Sequence, residues 1–398
     1  MKLVERNQCT GCGACMKACP KGAISFQNDD EGFPSPLIDD EKCIECGQCN
    51  RVCPSVNFPA SNKIRVSYAA QIKDKEALEK STSGGMFTAF AREIFRRDGI
   101  VYGCVWDQDY NAVVVGAEDE YGLEAMRGSK YVWSWAGDTY PEIKKQLTDG
   151  RTVLFTGLPC QAAGLRNYLG KDYDNLYIIV FFCGGASSPY AFQEYLKTIT
   201  KAVTKKELDF KFRDKSRYGV GVYISYNTKK GKNFQTYVEN PYYFSYYTKV
   251  SHRRSCYVCK YRYEQRIEDI TIGDYWGVSK FHPELYSHDG VSALLINTDK
   301  GQELLDSVKN EIILLPTKVE YITEWNNLTL GDQRVEFKYV SFRKDFFKTL
   351  KKSGWGTAER RFLIFNRTRI KLWLKSVISP KYLNAAKKLL HRTNGGNR

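Results

Sequence analysis

The chain has 398 residues, of which 42% are hydrophobic and 14% aromatic, a composition that excludes a disordered polymer and fits two or three globular domains. Its formal net charge of +15 would suggest nucleic-acid binding, but 17 basic and only 2 acidic residues lie between Lys338 and Arg398. The rest of the chain carries no net charge. The excess therefore belongs to a C-terminal extension, and we expect no nucleic-acid partner.

The first residues, MKLVERNQ, lead into cysteines rather than into an apolar signal segment. No apolar run approaches the roughly 18 residues that a membrane-spanning helix needs. We therefore expect a cytoplasmic protein. In that reducing compartment the thirteen cysteines are expected to serve as metal ligands or catalytic thiols rather than as disulfides.

The N-terminal cysteines form an internal repeat with the spacing CxxCxxCxxxCP. The first copy comprises Cys9, Cys12, Cys15 and Cys19, and the second comprises Cys43, Cys46, Cys49 and Cys53. This spacing is typical of bacterial ferredoxins with two 4Fe-4S clusters, in which the fourth cysteine of each run binds the other cluster. Zinc binding and scattered buried thiols are the alternatives, and eight cysteines in two matched sets disfavour both.

That pattern assigns the eight cysteines to two ligand sets. One set is Cys9, Cys12, Cys15 and Cys53, and the other is Cys43, Cys46, Cys49 and Cys19. Gly11, Gly13 and Gly47 would let the backbone turn close to the inorganic sulfides. We expect this domain, residues 1–60, to conduct electrons rather than to carry out substrate chemistry.

A second domain begins near residue 61, with a predicted strand over Val66 to Ile72. KSTSGGMFTAFAREIFRR then gives a polar loop followed by a helix with Phe87, Phe90 and Phe95 at helical spacing. Strands in GIVYGCVWD, NAVVVGAE, RTVLFTG and NLYIIVFFCGG alternate with helices in TYPEIKKQLTDG and CQAAGLRNYLG. This alternation predicts a parallel α/β domain over residues 61–335.

Two features of this second domain are candidate ligand sites. Ser83, Gly84 and Gly85 fit a phosphate-binding loop at a helix start, although a Gly-Gly helix entry is often only a turn. Cys160 and Cys183 follow predicted strands, where ligands of α/β proteins bind, and Cys256 and Cys259 have metal-ligand spacing. We predict that these four cysteines form a third tetra-thiolate site, with single buried thiols as the alternative. Isolated Cys104 is expected to be an ordinary buried thiol.

Several stretches of the second domain resemble the coenzyme F420 hydrogenase/dehydrogenase beta-subunit family. They are STSGGMFTAF, RGSKYVWS, VLFTGLPCQAAGLRNYL, CGGASSP, RRSCYVCKYRYEQRIEDITIGDYWG and HPELYSHDGVSALLINTDKG, in order over roughly residues 66–300. The resemblance implies a flavoprotein, with FAD beside an iron-sulfur cluster. It also implies that Ser83, Gly84, Gly85, Arg127, Ser129 and Lys130 contact the flavin. Asp269, Gly273, Asp274 and Trp276 would shape the site or contact ligand.

Together these inferences predict an α+β protein: a ferredoxin-like domain, an α/β domain that binds flavin and a cluster, and a basic helical extension over residues 336–398. We predict an iron-sulfur flavoprotein oxidoreductase that acts on a small molecule and receives electrons from a redox partner such as ferredoxin or another oxidoreductase subunit. The resemblance also links such fused proteins to surface-polysaccharide assembly. A non-catalytic electron carrier, a coenzyme F420-reducing subunit and an oxygen-sensing regulator are the alternatives.

No catalytic acid or base is assigned. The only histidines are His252, His282, His288 and His391, and each is more often a packed or surface residue than a proton donor. In the extension, FLIFNRTRIKLWLKSVIS places Leu363, Ile370, Leu374 and Val377 or Ile378 along one side of a helix. Such a basic helix suits peripheral contact with the inner face of a membrane, an acidic partner, or a cap on the enzyme body.

Overall fold

The computed structural model describes residues 3–200, 203–262, 265–330, 341–364 and 370. In the N-terminal module the elements are α1 (Ala14–Ala18), β1 (Ile24–Asn28), β2 (Pro34–Ile38) and α2 (Gln48–Arg51). β1 and β2 pair antiparallel, and each cysteine run enters a short helix. Gly13 and Gly47 precede these helices with positive φ, a conformation that glycine adopts without strain.

The body is built on one large sheet with helices on both faces. Its elements are β3 (Val66–Ile72), α3 (Lys75–Lys80), α4 (Met86–Arg96), β4 (Ile100–Trp106), β5 (Ala112–Ala117), α5 (Glu120–Met126), β6 (Ser134–Trp135), α6 (Thr139–Thr148), β7 (Val153–Gly157), α7 (Pro159–Leu169), β8 (Leu176–Phe181), α8 (Pro189–Ile199), β9 (Tyr223–Thr228), β10 (Gly231–Thr236), α9 (Pro241–Tyr247), β11 (Ile270–Asp274), α10 (Val278–Phe281), β12 (Ser292–Ile296), α11 (Asp299–Ser307), β13 (Ile312–Thr317), α12 (Val319–Leu330) and α13 (Arg343–Glu359).

The sheet is mixed rather than wholly parallel. Its strand order is β13-β3-β12-β11-β8-β7-β4-β5-β6, in which the central run β11, β8, β7 and β4 and the edge pair β5 and β6 consist of parallel neighbours. β12 runs antiparallel to β11 and β3, and β5 runs antiparallel to β4. The predicted alternation of strands and helices is confirmed, whereas the predicted parallel organisation holds for only part of the sheet, because β5 returns directly beside β4 and β12 returns antiparallel beside β11.

Residues alternate between the two faces of the sheet and form two separate cores. Val101, Leu154 and Ile179 pack against α4 and α11 on one face, where Phe90 is fully buried as the helical spacing predicts. Tyr102 and Phe155 pack against α6 and α7 on the other face. The pairing directions place the carboxyl ends of β3, β4, β7, β8 and β11 at one edge of the sheet, together with the amino end of β12.

The N-terminal module packs closely on this body through glycine contacts. A Cβ atom on Gly13 would lie 2.8 Å from the Cα of Gly137, and one on Gly164 would lie 2.8 Å from the Sγ of Cys12. Gly164 lies within α7, so this helix packs directly against the first cysteine run. These glycines thus serve the docking of the module as well as its turns.

The described part of the C-terminal extension belongs to the body. Phe346, Phe347, Leu350 and Trp355 of α13 are buried in an aromatic cluster with α8 and α9. Leu363, predicted to face a membrane, a partner or the enzyme body, is also fully buried, as a cap on the body requires, while Ile370 is 44% exposed. Leu374, Val377 and Ile378 lie outside the described residues. Among the helices described, none is long and apolar enough to cross a membrane.

Candidate functional site

The eight N-terminal cysteines line two adjacent cavities. Cys9, Cys12, Cys15 and Cys53 line one, which Cys49 also reaches, and Cys19, Cys43, Cys46 and Cys49 line the other. The fourth cysteine of each run therefore lies with the first three of the other run, as the ferredoxin pattern requires. We call these the inner set (Cys9, Cys12, Cys15, Cys53) and the outer set (Cys19, Cys43, Cys46, Cys49).

The two sets differ in their exposure. In the inner set Cys9 and Cys12 are buried, and Cys12 packs in the same hydrophobic cluster as Cys160 and Cys259 of the body. In the outer set Cys46 is exposed, and its neighbour Ile44 is 58% exposed. The outer set therefore faces solvent and the inner set faces the body.

The four remaining candidate ligands converge from three separate parts of the fold. Cys160 lies in the first turn of α7, directly after β7, and Cys183 follows β8. Cys256 lies in a short 3-10 helix, Arg254–Val258, and Cys259 follows that helix. All four line one cavity of about 210 Å³, which we call the body cavity. Its wall also includes residues of the N-terminal module, among them Asn7, Gln8, Thr10 and Ser55.

Burial determines which occupant these thiols can accept. It raises the pKa of Cys183 to about 12 and of Cys259 to about 11, and it holds the pKa of Cys160 well above its ordinary value. Burial likewise raises the pKa of Cys12 to about 12. Such thiols become thiolates only when a cation stabilises them, because ligands must be deprotonated to bind metal. The donor sets therefore fit iron-sulfur clusters, which are held by four thiolates.

Within the described residues, no group of three or more His, Cys, Asp or Glu side chains is arranged to hold a single metal ion. The cysteines instead line cavities, of about 20 Å³ for each N-terminal set and about 210 Å³ for the body. The body cavity is the larger because it extends from its cysteines to the surface of the N-terminal module.

The predicted Ser83–Gly85 loop packs against the start of β12. The Gly84 amide donates to Ser292 Oγ at 3.0 Å, and Ser83 Oγ donates to the Val291 carbonyl at 3.0 Å. A Cβ atom on Gly84 would lie 2.4 Å from the Ala70 carbonyl oxygen, so the position admits only glycine. The loop thus has a structural role, and the Gly84 amide already donates its hydrogen bond to Ser292 within the protein. Its contact with flavin stays a prediction.

Of the other predicted flavin contacts, Arg127 and Lys130 are turned toward the protein. Arg127 forms ion pairs with Glu120 and Glu124 and donates to Thr88 Oγ1 at 3.2 Å. Lys130 Nζ donates to three backbone carbonyls, those of residues 126, 127 and 128, and burial lowers its pKa. Ser129, between them, is half-buried. The segment lies beside α4, which follows the glycine loop, and its contact with flavin also stays a prediction.

The DIxxGDxWG segment divides between scaffold and site. Asp269 is buried and accepts from the Ile178 amide and the Thr298 hydroxyl, each at 2.8 Å, so it joins β8 to the start of α11. A Cβ atom on Gly273 would lie 2.3 Å from the Phe182 ring, the residue before Cys183. Asp274 and Trp276, by contrast, lie at the carboxyl edge of the sheet, where Trp276 is 41% exposed.

Arg213 is a candidate site residue that sequence reasoning missed. Its guanidinium pairs with Asp274 at 2.9 Å, donates to the Tyr131 hydroxyl at 3.3 Å and the Thr82 carbonyl at 3.5 Å, and lies 5.4 Å from the Trp276 ring centre. Burial opposes its charge, but Asp274 and Tyr131 offset burial and raise its pKa. Arg213 therefore contacts three of the stretches that carry the family resemblance, through Thr82, Tyr131 and Asp274. Because these stretches are far apart in sequence, their shared contact with Arg213 could not be seen there.

The described histidines have structural partners. His252 is buried, lies against the Tyr246 ring and contacts the Gly184 carbonyl at 3.1 Å through Nε2. His282 Nε2 lies 2.8 Å from Thr317 Oγ1. His288 packs against Gly219, and His391 lies outside the described residues. None is thereby identified as a proton donor.

Comparison with known proteins first defines the class. Two family models described as 4Fe-4S dicluster domain match residues 8–57 and 35–86. The predicted iron-sulfur character of the N-terminal region is therefore confirmed. Two further models, described as coenzyme F420 hydrogenase/dehydrogenase, beta subunit N-term and C terminus, match residues 67–137 and 150–320 and together cover more than half of the chain. The chain belongs to the coenzyme F420 hydrogenase/dehydrogenase beta-subunit family.

The individual relatives share low sequence identity with this chain. The coenzyme F420-dependent sulfite reductase of Methanocaldococcus jannaschii is 26% identical over 319 residues, which are 77% of this chain and 47% of that protein. The chain thus spans about half the length of this curated relative. A chain of the F420-reducing NiFe hydrogenase complex from Methanosarcina barkeri is 19% identical, with a TM-score of 0.47 over 68% of this chain and 90% of that one. Family membership rests on the family models.

Proposed function

We propose that the protein is an iron-sulfur flavoprotein oxidoreductase that passes electrons between three 4Fe-4S sites and a bound flavin, FAD, which reduces or oxidises a small molecule. The observation that carries this proposal is the body cavity, in which four cysteines from three parts of the fold lie beside the inner set. Eight cysteines alone would make a ferredoxin. The four cysteines of the body cavity would extend the electron path from the ferredoxin-like domain to the carboxyl edge of the α/β sheet, where ligands of such sheets bind.

The cysteine sets lie in the order that electron transfer requires. The outer set is exposed at Cys46, the inner set packs on the body through Cys12, and the body set lies beyond it. The cysteines of each set would supply the four thiolates of one cluster. Buried side chains between the sets, such as Tyr261 near Cys12 and Cys160, would exclude water from the path. A redox partner protein would then dock near Cys46.

The flavin would bind at the carboxyl edge between Cys183 and the Ser83–Gly85 loop. Cys183 follows β8 and Asp274 ends β11, and these strands are parallel neighbours. Arg213 connects Asp274 to Thr82 at the start of the loop, and the exposed Trp276 ring offers a surface for a flat group. A bound flavin would accept electrons singly and deliver them as a pair. Arg213 and Asp274 would orient it.

The flavin proposal is tested by anaerobic purification and measurement of flavin per chain. We expect about one flavin in the wild-type protein, by analogy with one ligand crevice per sheet, and less in Arg213→Gln. Arg217→Gln, in which the removed cation lies over the Tyr218 ring, is the matched control and should keep its flavin. Iron-containing protein without flavin would favour the alternative of a non-catalytic electron carrier.

Coenzyme F420 is a second candidate, as the substrate of the flavin. The name of the Methanocaldococcus relative and the description of the matching family model both contain this coenzyme. The test is anaerobic mixing of reduced F420 with the flavin-loaded protein while flavin absorbance is recorded. Bleaching of the flavin supports an F420-linked enzyme, whereas no bleaching by reduced F420 but bleaching and turnover with another donor restricts the protein to other substrates. A role in surface-polysaccharide metabolism stays a prediction.

The proposed protein has three parts, of which the C-terminal extension would contact a membrane. We place the ferredoxin-like domain at residues 1–60, the flavin domain at 61–335 and the basic extension at 336–398, with α13 of the extension packed on the body. The basic residues after Ile370 would provide peripheral contact with an anionic membrane. Removal of residues 371–398 should then abolish sedimentation with anionic vesicles at low salt, and sedimentation that persists would contradict this.

A further inference from the structure

Arg253 lies between the inner set and the body set. It directly precedes the helix that carries Cys256, and its amide donates to the Ala186 carbonyl at 2.8 Å, close after Cys183. Its side chain reaches back to the N-terminal module, where Nε donates to the Cys9 carbonyl at 2.7 Å and Nη2 lies 3.6 Å from Cys9 Sγ. One residue therefore contacts a ligand of the inner set and lines the body cavity.

The environment of this guanidinium is unusual for a charge. Arg253 is only 3% exposed, and the described residues offer it no carboxylate within ion-pair distance. Nη2 donates to the Pro34 carbonyl at 2.8 Å, the Phe33 and Trp133 rings flank the group, and among the described residues Nη1 has no hydrogen-bond partner. A buried unpaired charge is costly. Cysteine thiolates are the anions that its position provides.

The approach of Arg253 is built into the cysteine loop. Gly11 adopts a φ of +73°, and a Cβ atom there would lie 3.0 Å from Arg253 Nη1 and 3.0 Å from the Trp133 ring. The Trp133 indole nitrogen donates to the Thr10 carbonyl at 3.2 Å. The loop between Cys9 and Cys12 is thus shaped to receive the guanidinium.

The sequence repeat provides an internal comparison, because Cys43 corresponds to Cys9. Among the hydrogen bonds of the described residues, Cys43 Sγ has no counterpart to the Arg253 contact. In the outer set Cys19 Sγ accepts from the uncharged Ala23 amide at 3.3 Å, and Cys46 is open to solvent. Burial alone would make the inner site harder to reduce, since a low dielectric disfavours added negative charge. A fixed cation beside Cys9 opposes that effect.

We propose that Arg253 is a positioning residue that acts through Cys9 to raise the reduction potential of the inner site, so that an electron moves favourably from the outer set toward the body. The inference rests on the proposed function. In each transfer one electron leaves the outer site, which is oxidised, and enters the inner site, which is reduced, with no bond made or broken. Net charge and hydrogen bonds to sulfur are established determinants of such potentials.

The test is an EPR-monitored reductive titration of the anaerobic full-length protein and two variants. Arg253→Gln keeps an amide donor but removes the charge, and Arg253→Lys keeps the charge. We expect Arg253→Gln to lower the midpoint potential of the inner site by at least about 59 mV, which is a tenfold change in the equilibrium constant for one electron. Arg253→Lys should retain most of the wild-type potential. Arg254→Gln, which alters the adjacent arginine that pairs with Glu31, should shift it less.

The outcomes separate this inference from the function on which it rests. Unchanged potentials in an iron-replete Arg253→Gln protein, or equal shifts in the Gln and Lys variants, would overturn the role of Arg253 and leave the oxidoreductase proposal intact. Selective loss of iron from the inner site in Gln but not in Lys supports the need for a cation there. Loss in both would make Arg253 a structural bridge and overturn the tuning role. Absence of iron from the wild-type protein would instead contradict the proposed function.

Discussion

The N-terminal module and the body each bring cysteines together, but by different physical routes. In the module eight cysteines lie within Cys9 to Cys53, and short helices, glycine turns and one hairpin are enough to assemble both sets. In the body Cys160 and Cys183 meet because β7 and β8 are parallel neighbours that end at the same edge of the sheet. Cys259, almost a hundred residues after Cys160, reaches the same cavity from the end of the 3-10 helix that precedes β11. A local motif specifies the first pair of sites, and tertiary structure specifies the third.

This difference predicts that the body site can be removed alone. Cys256→Ala should reduce the iron content from about twelve to about eight per chain, because each 4Fe-4S site needs its four thiolates. The measurement is anaerobic iron quantification. Cys104→Ala is the matched control, since Cys104 is partly buried like Cys256 but lies outside all three sets, and it should keep all the iron. Equal losses in the two variants would contradict the assignment.

The crossover in the module predicts a paired result. Cys53→Ala should remove the same EPR signal as Cys12→Ala, although Cys53 lies in the second run, because both line the inner cavity. Cys19→Ala should remove the same signal as Cys43→Ala. Each variant should lose about four irons. If Cys53→Ala instead matched Cys43→Ala, each run would bind its own cluster and the module would not resemble a bacterial ferredoxin.

The module and body are also joined by buried charges. Glu31 of the module pairs with Arg254 at 3.0 Å and with the fully buried Arg343 of α13, which donates to the Val250 carbonyl at 2.6 Å. Arg343→Met should lower the free energy of unfolding by about 3–5 kcal/mol, because it leaves a buried carboxylate with half of its counter-charge. Denaturant unfolding under anaerobic conditions measures this.

Lys351→Met is the control for Arg343→Met. Lys351 also lies on α13 and pairs with a module residue, Asp30, but both side chains are exposed. Surface pairs contribute little, so no measurable change is expected. Similar losses in the two variants would mean that α13, rather than the Glu31 network, was disturbed.

The smallest effect concerns the glycine contact between module and body. Gly164→Ala should destabilise the protein by about 1–3 kcal/mol, because its Cβ would press on the Cys12 sulfur and packed interiors resist added volume. Gly356→Ala, also helical but with only Arg360 Nη1 at 4.0 Å, should be neutral or stabilising by up to about 1 kcal/mol. A neutral Gly164→Ala would show that the module is loosely docked.

Sequence reasoning recovered what is local. The hydrophobic spacing predicted β3, β4, β5, β7, β8, α4, α6 and α7, and the cysteine repeat predicted both N-terminal sets. The strand-end cysteines and the CxxC spacing predicted the third set, with single buried thiols left open as the alternative. The antiparallel flanks of the sheet were missed, because strand direction depends on connections rather than on composition.

The contacts that link the regions could not be predicted. Arg253 reaches Cys9 across 244 positions, and Arg343 reaches Glu31 across 312. Each arginine lies in an ordinary basic stretch, and nothing local distinguishes a buried cation from a solvated one. The same holds for Arg213 and Asp274, which are 61 positions apart.

Under the proposed function this chain holds three iron-sulfur sites, two in its module and one in its body. Quantification of iron and acid-labile sulfide per chain in anaerobically purified protein tests it most directly. Three four-iron sites predict about twelve irons and about twelve sulfides. About eight of each would show that the body cysteines hold no cluster, and colourless or zinc-containing protein would contradict the account as a whole.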